Sequence, residues 1–168
     1  QPIKKVLITG GSGFIGTHLS KKLISRGYDV TIFDKEASKL NCRIIRGDIR
    51  NSVLLENAIQ EADAVFHLAA TVSIPLCQEI PMESYSNNQL ATVQVAKAIL
   101  DKNKIFKTKT RIVFASSAAV YGAVGKSGIP IHETDTARFP LSHYASQKLA
   151  SEQSLKVFHD TEGLPSVV

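Results

Sequence analysis

Hydrophobic and polar positions along this chain switch repeatedly between two periods. Short runs rich in β-branched and aromatic residues are "IKKVLIT" (3–9), "DVTIF" (29–33), "CRIIRG" (42–47), "DAVFHLA" (63–69) and "RIVFAS" (111–116). Each is bounded by Gly, Asp or Ser, and near-continuous apolar runs of this length suit strands buried on both faces. Between them the apolar positions recur at three and four, the helical spacing. Residues 14–26 carry Phe14, Ile15, His18, Leu19, Lys22 and Leu23 in that rhythm, and 52–60 form a shorter helix. The pattern predicts a longer helix over 84–101, with Leu90, Val93, Ala96, Lys97 and Leu100 on one stripe, and a last one over 142–160. After it "LPSVV" opens another apolar run. Strands alternating with helices predict an α/β chain, built from right-handed βαβ units into a doubly wound, mostly parallel sheet with helices on both faces. No internal repeat or low-complexity segment divides residues 1–168, which read as one domain.

The first βα junction, "TGGSGFIG" (9–16), sharpens that picture. Gly10, Gly13 and Gly16 give G-x-x-G-x-x-G, and Gly11, Gly13 and Gly16 give G-x-G-x-x-G. Glycines here permit a tight turn, close approach of backbone to a pyrophosphate, and close packing of helix on strand. The helix start, with Phe14 and Ile15 between the glycines, then offers N–H groups and a positive dipole end to the anion. Asp34 ends the second strand 18 residues past Gly16, where a carboxylate accepts from ribose hydroxyls and repels a 2′-phosphate. The expectation is a Rossmann fold binding NAD rather than NADP, with the adjacent Lys35 pulling the other way.

Charge and composition remove other classes. The net charge of +5 is spread along the chain, apart from the basic cluster "DKNKIFKTKTR" at 101–111. Such a run reads as a solvated loop, and no nucleic-acid motif accompanies it. Cys42 and Cys77 form neither a CxxC motif nor a disulfide framework, so reduced thiols and a cytoplasmic setting are expected. No signal-peptide core and no run of roughly 18 apolar residues is present, so no membrane partner is expected. The histidines are scattered without carboxylate clusters and give no metal site; His67 reads as a packed strand residue.

Further segments fall into register with a known family. "GDIR" (47–50), "HLAA" (67–70), "NNQLAT" (87–92), "SSAAVYG" (116–122) and "YASQK" (144–148) follow the glycine turn in order. Together they resemble an extended short-chain dehydrogenase/reductase, in particular the nucleotide-sugar 4-epimerases. The resemblance implies that Asp48 and Ile49 sit by the adenine, and that Leu68, Ala69 and Ala70 line the cofactor path. It makes Asn88 the helix asparagine that orders the active site, and Ser117 the catalytic hydroxyl, with Ser116 as the competing choice. Tyr144 is the acid/base and Lys148 its partner, and both also meet the cofactor.

The chemistry asks for such a set. Residues four apart on a helix share a face, so Tyr144 and Lys148 project together. A phenol of pKa near 10 is a poor base at neutral pH. A positive charge about 4 Å away contributes roughly 4 kcal/mol at an effective dielectric of 20, enough to make the phenolate accessible. Ser117 would hydrogen-bond the oxygen as it passes from alcohol to carbonyl. After Ser117 this chain has Ala118 and Ala119, where the family's dehydratases and decarboxylases usually carry acidic residues. That favours an NAD-dependent epimerase: oxidation at C4 of a UDP-sugar, rotation of the keto sugar, and re-reduction on the other face. "VSIP" (72–75) resembles a stretch in some UDP-N-acetylhexosamine epimerases. An NAD(P)-dependent reductase of a sugar or small carbonyl compound would use the same three residues. A non-catalytic dinucleotide-binding module is the remaining alternative.

The chain also departs from the family. Many relatives have Pro before the tyrosine and Ser before the lysine, where His143 and Gln147 stand here. Family members run to roughly twice this length. Gln1 is no initiator and the chain stops at "GLPSVV", so a fragment lacking the C-terminal substrate domain is expected. The resemblance further implies a homodimer pairing the helices near 84–101 and 142–160.

Overall fold

The computed structural model describes residues 3–123, 130–135 and 139–168. Six parallel strands form one sheet in the order β3-β2-β1-β4-β5-β6. They are β1 (Lys5–Thr9), β2 (Asp29–Asp34), β3 (Arg43–Arg46), β4 (Ala64–His67), β5 (Arg111–Phe114) and β6 (Ser166–Val167). The helices are α1 (Phe14–Ser25), α2 (Ser52–Gln60), α3 (Ile74–Glu79), α4 (Pro81–Tyr85), α5 (Ala91–Phe106) and α6 (His143–Glu162). This is the doubly wound Rossmann order predicted by the strand–helix alternation. The apolar run at "LPSVV" supplies β6, which pairs with β5 at Ile112–Ser166 and Val113–Val167.

Successive residues of β1 serve opposite faces of the sheet, as pleating requires. Leu7 joins Val65 and Ile112 in a core with Leu55, Ile59, Val95, Ile99 and Leu155 from α2, α5 and α6. Val6 and Ile8 join Val30 and Ile32 under Leu19 and Leu23 of α1. Both faces are therefore apolar, which explains why these strands read as continuous runs rather than alternations. The register sets Thr9 beside Phe33 on one side and His67 on the other. The carboxyl ends of β1, β2 and β4 thus finish level, at the point where the winding reverses.

Three local departures from the sequence pattern have physical causes. The helix expected at 84–101 begins as α4 at Pro81, passes through a π-helical turn at Ser86–Leu90 and runs on as α5 to Phe106. The buried stripe of α5 is Ala91, Thr92, Val95, Ala96, Ile99 and Lys102, while Leu90 and Lys97 are exposed, because the face turned to the sheet carries small and β-branched residues rather than the Leu90–Lys97 row. The basic cluster is likewise half helical. Lys107 closes α5 in the left-handed region at φ 55°. Asn103 then ties the turn, its Oδ1 accepting from Thr110 N and Thr108 Oγ1 at 2.8 Å each. Lys102 is buried and donates to Ala62 O, so this cation ties α5 to the loop before β4. Finally, α3 was not expected; Ser73 Oγ accepts from Leu76 N at 3.3 Å and Pro75 occupies its first turn, both ordinary helix-start signals. Among the described residues no helix is long and apolar enough to cross a membrane.

Candidate active site

A cleft of about 810 Å³ opens over the carboxyl ends of the central strands, where open α/β sheets bind ligands. Its floor is the glycine turn. Gly10 has φ +71°, and a Cβ there would lie 2.7 Å from Ala69 N. A Cβ at Gly16 would lie 2.2 Å from Gly10 O, so only bare backbone lets α1 start this close to β1. Gly13 caps α1 without any side-chain hydrogen bond. The first-turn N–H groups, which have no intrahelical partner, are left to the cleft that Gly13, Phe14, Ile15 and Gly16 line.

Asp34 lies on the cleft wall at the end of β2. Its Oδ2 accepts from Ser12 N at 2.9 Å and its Oδ1 from Glu36 N at 3.0 Å, which fixes the carboxylate beside the phosphate turn. Lys35, the residue that blurred the choice of nucleotide, pairs with Asp48 at 2.9 Å. Asp48 is held further by Arg50, Nη2 to Oδ2 at 2.5 Å and Nε to Oδ1 at 2.9 Å. The Arg50 guanidinium keeps the Asp48 carboxyl well below the usual carboxylate range. Asp48 itself stays off the cleft lining, whereas its buried neighbour Ile49 reaches it with Leu68, Ala69 and Ala70. Bare amides, a fixed carboxylate and apolar walls fit a dinucleotide: the turn would hold its pyrophosphate and Asp34 its ribose hydroxyls.

At the other end of the cleft stand Tyr144, Lys148, Ala115 and Ser116. Ser142 caps α6, its Oγ accepting from Ala145 N at 3.1 Å, so the helix opens at His143 and sets Tyr144 in its first turn. Lys148 follows one turn later and is 4% exposed. Its Nζ donates to Ala115 O at 2.8 Å, and lies 4.7 Å from the Phe114 ring centroid and 5.9 Å from that of Tyr144. Burial pushes the ammonium down to about 8, and it stays mostly charged at neutral pH.

The two serines differ in what their protons do. Ser116 lines the cleft, but its hydroxyl donates to the Glu152 carboxylate. Ser117 caps a short 3-10 turn, Ala118–Tyr121, and its Oγ accepts from Ala119 N at 3.2 Å. Ser117 is not on the cleft lining.

Asn88 also lies behind the wall. It is 2% exposed, inside the π-helical turn, a distortion that recurs at functional sites. Its Oδ1 accepts from Thr71 N at 2.6 Å, and its Nδ2 donates to Thr71 O at 3.0 Å and to Gln147 Oε1 at 2.6 Å. The cleft therefore gathers Gly10, Gly13, Phe14, Ile15, Gly16, Asp34, Ile49, Leu68, Ala69, Ala70, Tyr144 and Lys148, while Asp48, Asn88 and Ser117 stand just outside it.

Asn87 and Thr71, which were not among the site residues expected from the sequence, line the cleft together with Val72 and Ser73 of "VSIP". Asn87 Nδ2 donates to Thr71 Oγ1 at 2.8 Å, and among the described residues its buried Oδ1 has no partner. The doubled asparagine of "NNQLAT" was its signal. His67 is fully packed, as expected, with Nδ1 2.8 Å from Thr9 Oγ1 and Nε2 3.1 Å from Thr92 Oγ1. Among the described residues no three His, Cys, Asp or Glu side chains converge as metal ligands would.

Residues 6–168 match the sequence profile of the NAD dependent epimerase/dehydratase family. The chain is 34% identical to a UDP-glucose 4-epimerase of Azospirillum brasilense, over 98% of this chain and 47% of the relative. It is 33% identical to a UDP-N-acetyl-alpha-D-glucosaminuronate decarboxylase of Bacillus cytotoxicus, over 98% of this chain and 53% of the relative. A solved structure of the UDP-N-acetylglucosamine 4-epimerase from Methanobrevibacter ruminantium M1, in complex with UDP-N-acetylmuramic acid, superposes with a TM-score of 0.85 at 35% identity. That match covers 99% of this chain and 54% of the other. The chain spans about half the length of the relatives it matches. With glycine turn, carboxylate and Tyr–Lys helix in one cleft and the profile matched almost end to end, the chain belongs to the NAD-dependent epimerase/dehydratase family.

Proposed function

We propose that this chain is the cofactor half of an NAD-dependent 4-epimerase acting on a UDP-sugar. The observation that carries the reading is the cation–phenol pair of α6: a buried Lys148 ammonium beside the Tyr144 ring, both on the cleft that holds the phosphate turn. Bound NAD would supply the acceptor, and then the donor, of hydride at the sugar carbon. Tyr144, as phenolate, takes the proton of the C4 hydroxyl during oxidation and returns it on reduction of the opposite face. Lys148 stabilises that phenolate through its charge, and its hydrogen bond to Ala115 O keeps the ammonium in place. Ser117, whose Oγ accepts from Ala119 N, donates its own proton to the oxygen as it becomes a carbonyl. Ser116 is the poorer donor because its proton already goes to Glu152.

Ala118 and Ala119 leave no acid beside Ser117, which supports epimerisation over elimination of water or loss of a carboxyl group. Two observations support an N-acetylhexosamine: Val72 and Ser73 of "VSIP" line the cleft, and the UDP-N-acetylglucosamine 4-epimerase fold matches at TM-score 0.85. A homodimer through α5 and α6 is part of the reading; apolar Leu90, in the turn leading into α5, and Val157 of α6 are 52% and 58% exposed and support it. Two free cysteines support a reducing cytoplasmic setting.

The test is incubation of the full-length protein with UDP-glucose, UDP-galactose and their N-acetyl forms, with no cofactor added. Conversion between C4 epimers is expected, with the N-acetyl pair turned over fastest. Consumption of NAD(P)H against a carbonyl substrate, without epimers, would instead establish a reductase. NAD binding without either activity would leave a non-catalytic module.

A further inference from the structure

Gln147 stands between the two residues that define α6. Its side chain points away from the cleft and is completely buried. Its Nε2 donates to Ser84 Oγ at 2.7 Å. Ser84 in turn donates its own proton to Pro81 O at 2.9 Å, so the amide nitrogen of Gln147 must face Ser84. That leaves Oε1 facing Asn88, where it accepts from Nδ2 at 2.6 Å. The polarity of each group therefore fixes the next, through to Asn88, whose Oδ1 and Nδ2 together grip both backbone groups of Thr71. Ser151, one turn further along α6, adds bonds to Asn88 O at 3.2 Å and Gln147 O at 2.8 Å.

We infer that Gln147 is a positioning residue: through Asn88 it holds the Ala69–Ser73 wall of the cleft in register with Tyr144 and Lys148 on the same helix. The inference rests on the proposed reaction for its catalytic readout only. A serine at this position would end one atom past Cβ, two bonds too short to reach both Ser84 and Asn88, so the length of the glutamine is what lets one side chain bridge them. Gln147 touches no reacting atom in this scheme; its effect passes entirely through Asn88. Removing the amide would leave one Asn88 Nδ2 proton and the Ser84 acceptor without partners in a dry interior, which loosens whatever they hold.

The experiment uses the full-length protein with Gln147→Met, which keeps the length but removes the amide, and Gln147→Ser, which is two bonds too short for either partner. Hydrogen exchange by mass spectrometry reads the peptide spanning 69–73 against peptides from β1 and β4. Roughly tenfold faster exchange of the wall with unchanged strands is expected, with about fivefold weaker NAD binding by calorimetry. Among active proteins, kcat should fall about tenfold while KM for the UDP-sugar changes less than twofold. In an Asn88→Ala background the Gln147→Met effect on wall exchange and kcat should vanish, since both act on one path. Unchanged wall exchange, equal loosening of wall and strands, or additive effects in the double variant would each overturn the inference. If Gln147→Met does not fold, Gln147→Ser and Ser84→Ala carry the same exchange test. If the wild type epimerises nothing, the proposed reaction fails while exchange and NAD affinity still judge Gln147.

Discussion

Lys148 keeps its charge in a dry place, with one carbonyl and two ring faces for company. Burial puts its folded pKa at about 8, against about 10.4 for a free lysine. Below pH 8 both folded and unfolded chains hold the proton, so the group adds no pH dependence. Between about 8 and 10.4 only the unfolded chain holds it, so folding stability gains on the order of 3 kcal/mol as pH rises. Urea titrations at both ends of that window should show the gain in the wild type and its loss in Lys148→Met. Tyr144→Phe should cost roughly 10²–10⁴-fold in kcat, and Ser117→Ala about 10²–10³-fold, with NAD still bound by calorimetry. The Tyr–Lys pair was legible because its partners lie four apart on one helix. Gln147 was not, because its partners Asn88 and Ser84 lie 59 and 63 residues away, beyond any local pattern.

Elements meet the cleft through their ends, and the ends are where side chains replace missing backbone partners. Ser142→Ala removes the cap of α6 and should cost about 1 kcal/mol. It should also lower kcat, since Tyr144 sits in the turn that frays; thermal melts and initial rates check the two effects together. Strand β4 is tied differently. Thr92 Oγ1 donates to Asn88 O at 2.7 Å, so His67 Nε2 must donate to Thr92 and Nδ1 must accept from Thr9. That neutral tautomer joins β1, β4 and α5. Burial holds His67 neutral down to about 3, while an unfolded histidine takes up a proton near 6.5. The folded state therefore loses stability as pH falls from about 6.5 towards 3, by several kcal/mol. His67→Gln should flatten that slope in acid denaturation curves. A packed strand histidine such as His67 was readable in sequence; the caps at Ser73 and Ser142 and the π-helical turn were not read, the turn because one inserted residue leaves composition untouched.

Across the whole molecule, strand order did the placing. An apolar run after each turn was enough to foresee the winding, and the winding alone sets the cleft above β1, β2 and β4. What the pattern could not give is which of several polar residues reach the cleft, because Asn87 and Asn88 differ only by rotation about a helix. NAD at about 100 times its dissociation constant should stabilise the fold by about 2.7 kcal/mol, or roughly 5–10 °C in melting temperature for a chain of this size. NADP should shift it less, and Asp34→Ser should narrow the difference, in paired melting scans. Because Lys35 is paired with Asp48, the neighbouring cation should leave that difference in place.

One consequence concerns how such a chain tolerates error. Gln147, Lys148, Ser151 and Glu152 act as successive teeth on a single rod behind Tyr144, engaging Asn88, Ala115, Asn88 again and Ser116. Substituting one tooth disengages one partner. Deleting a single residue after Tyr144 would turn every later tooth by about 100°, breaking the Gln147–Asn88, Lys148–Ala115 and Glu152–Ser116 contacts at a stroke. Single side chains along this helix can therefore be exchanged at the cost of their own contacts, whereas a change in its residue count would disturb all of them together.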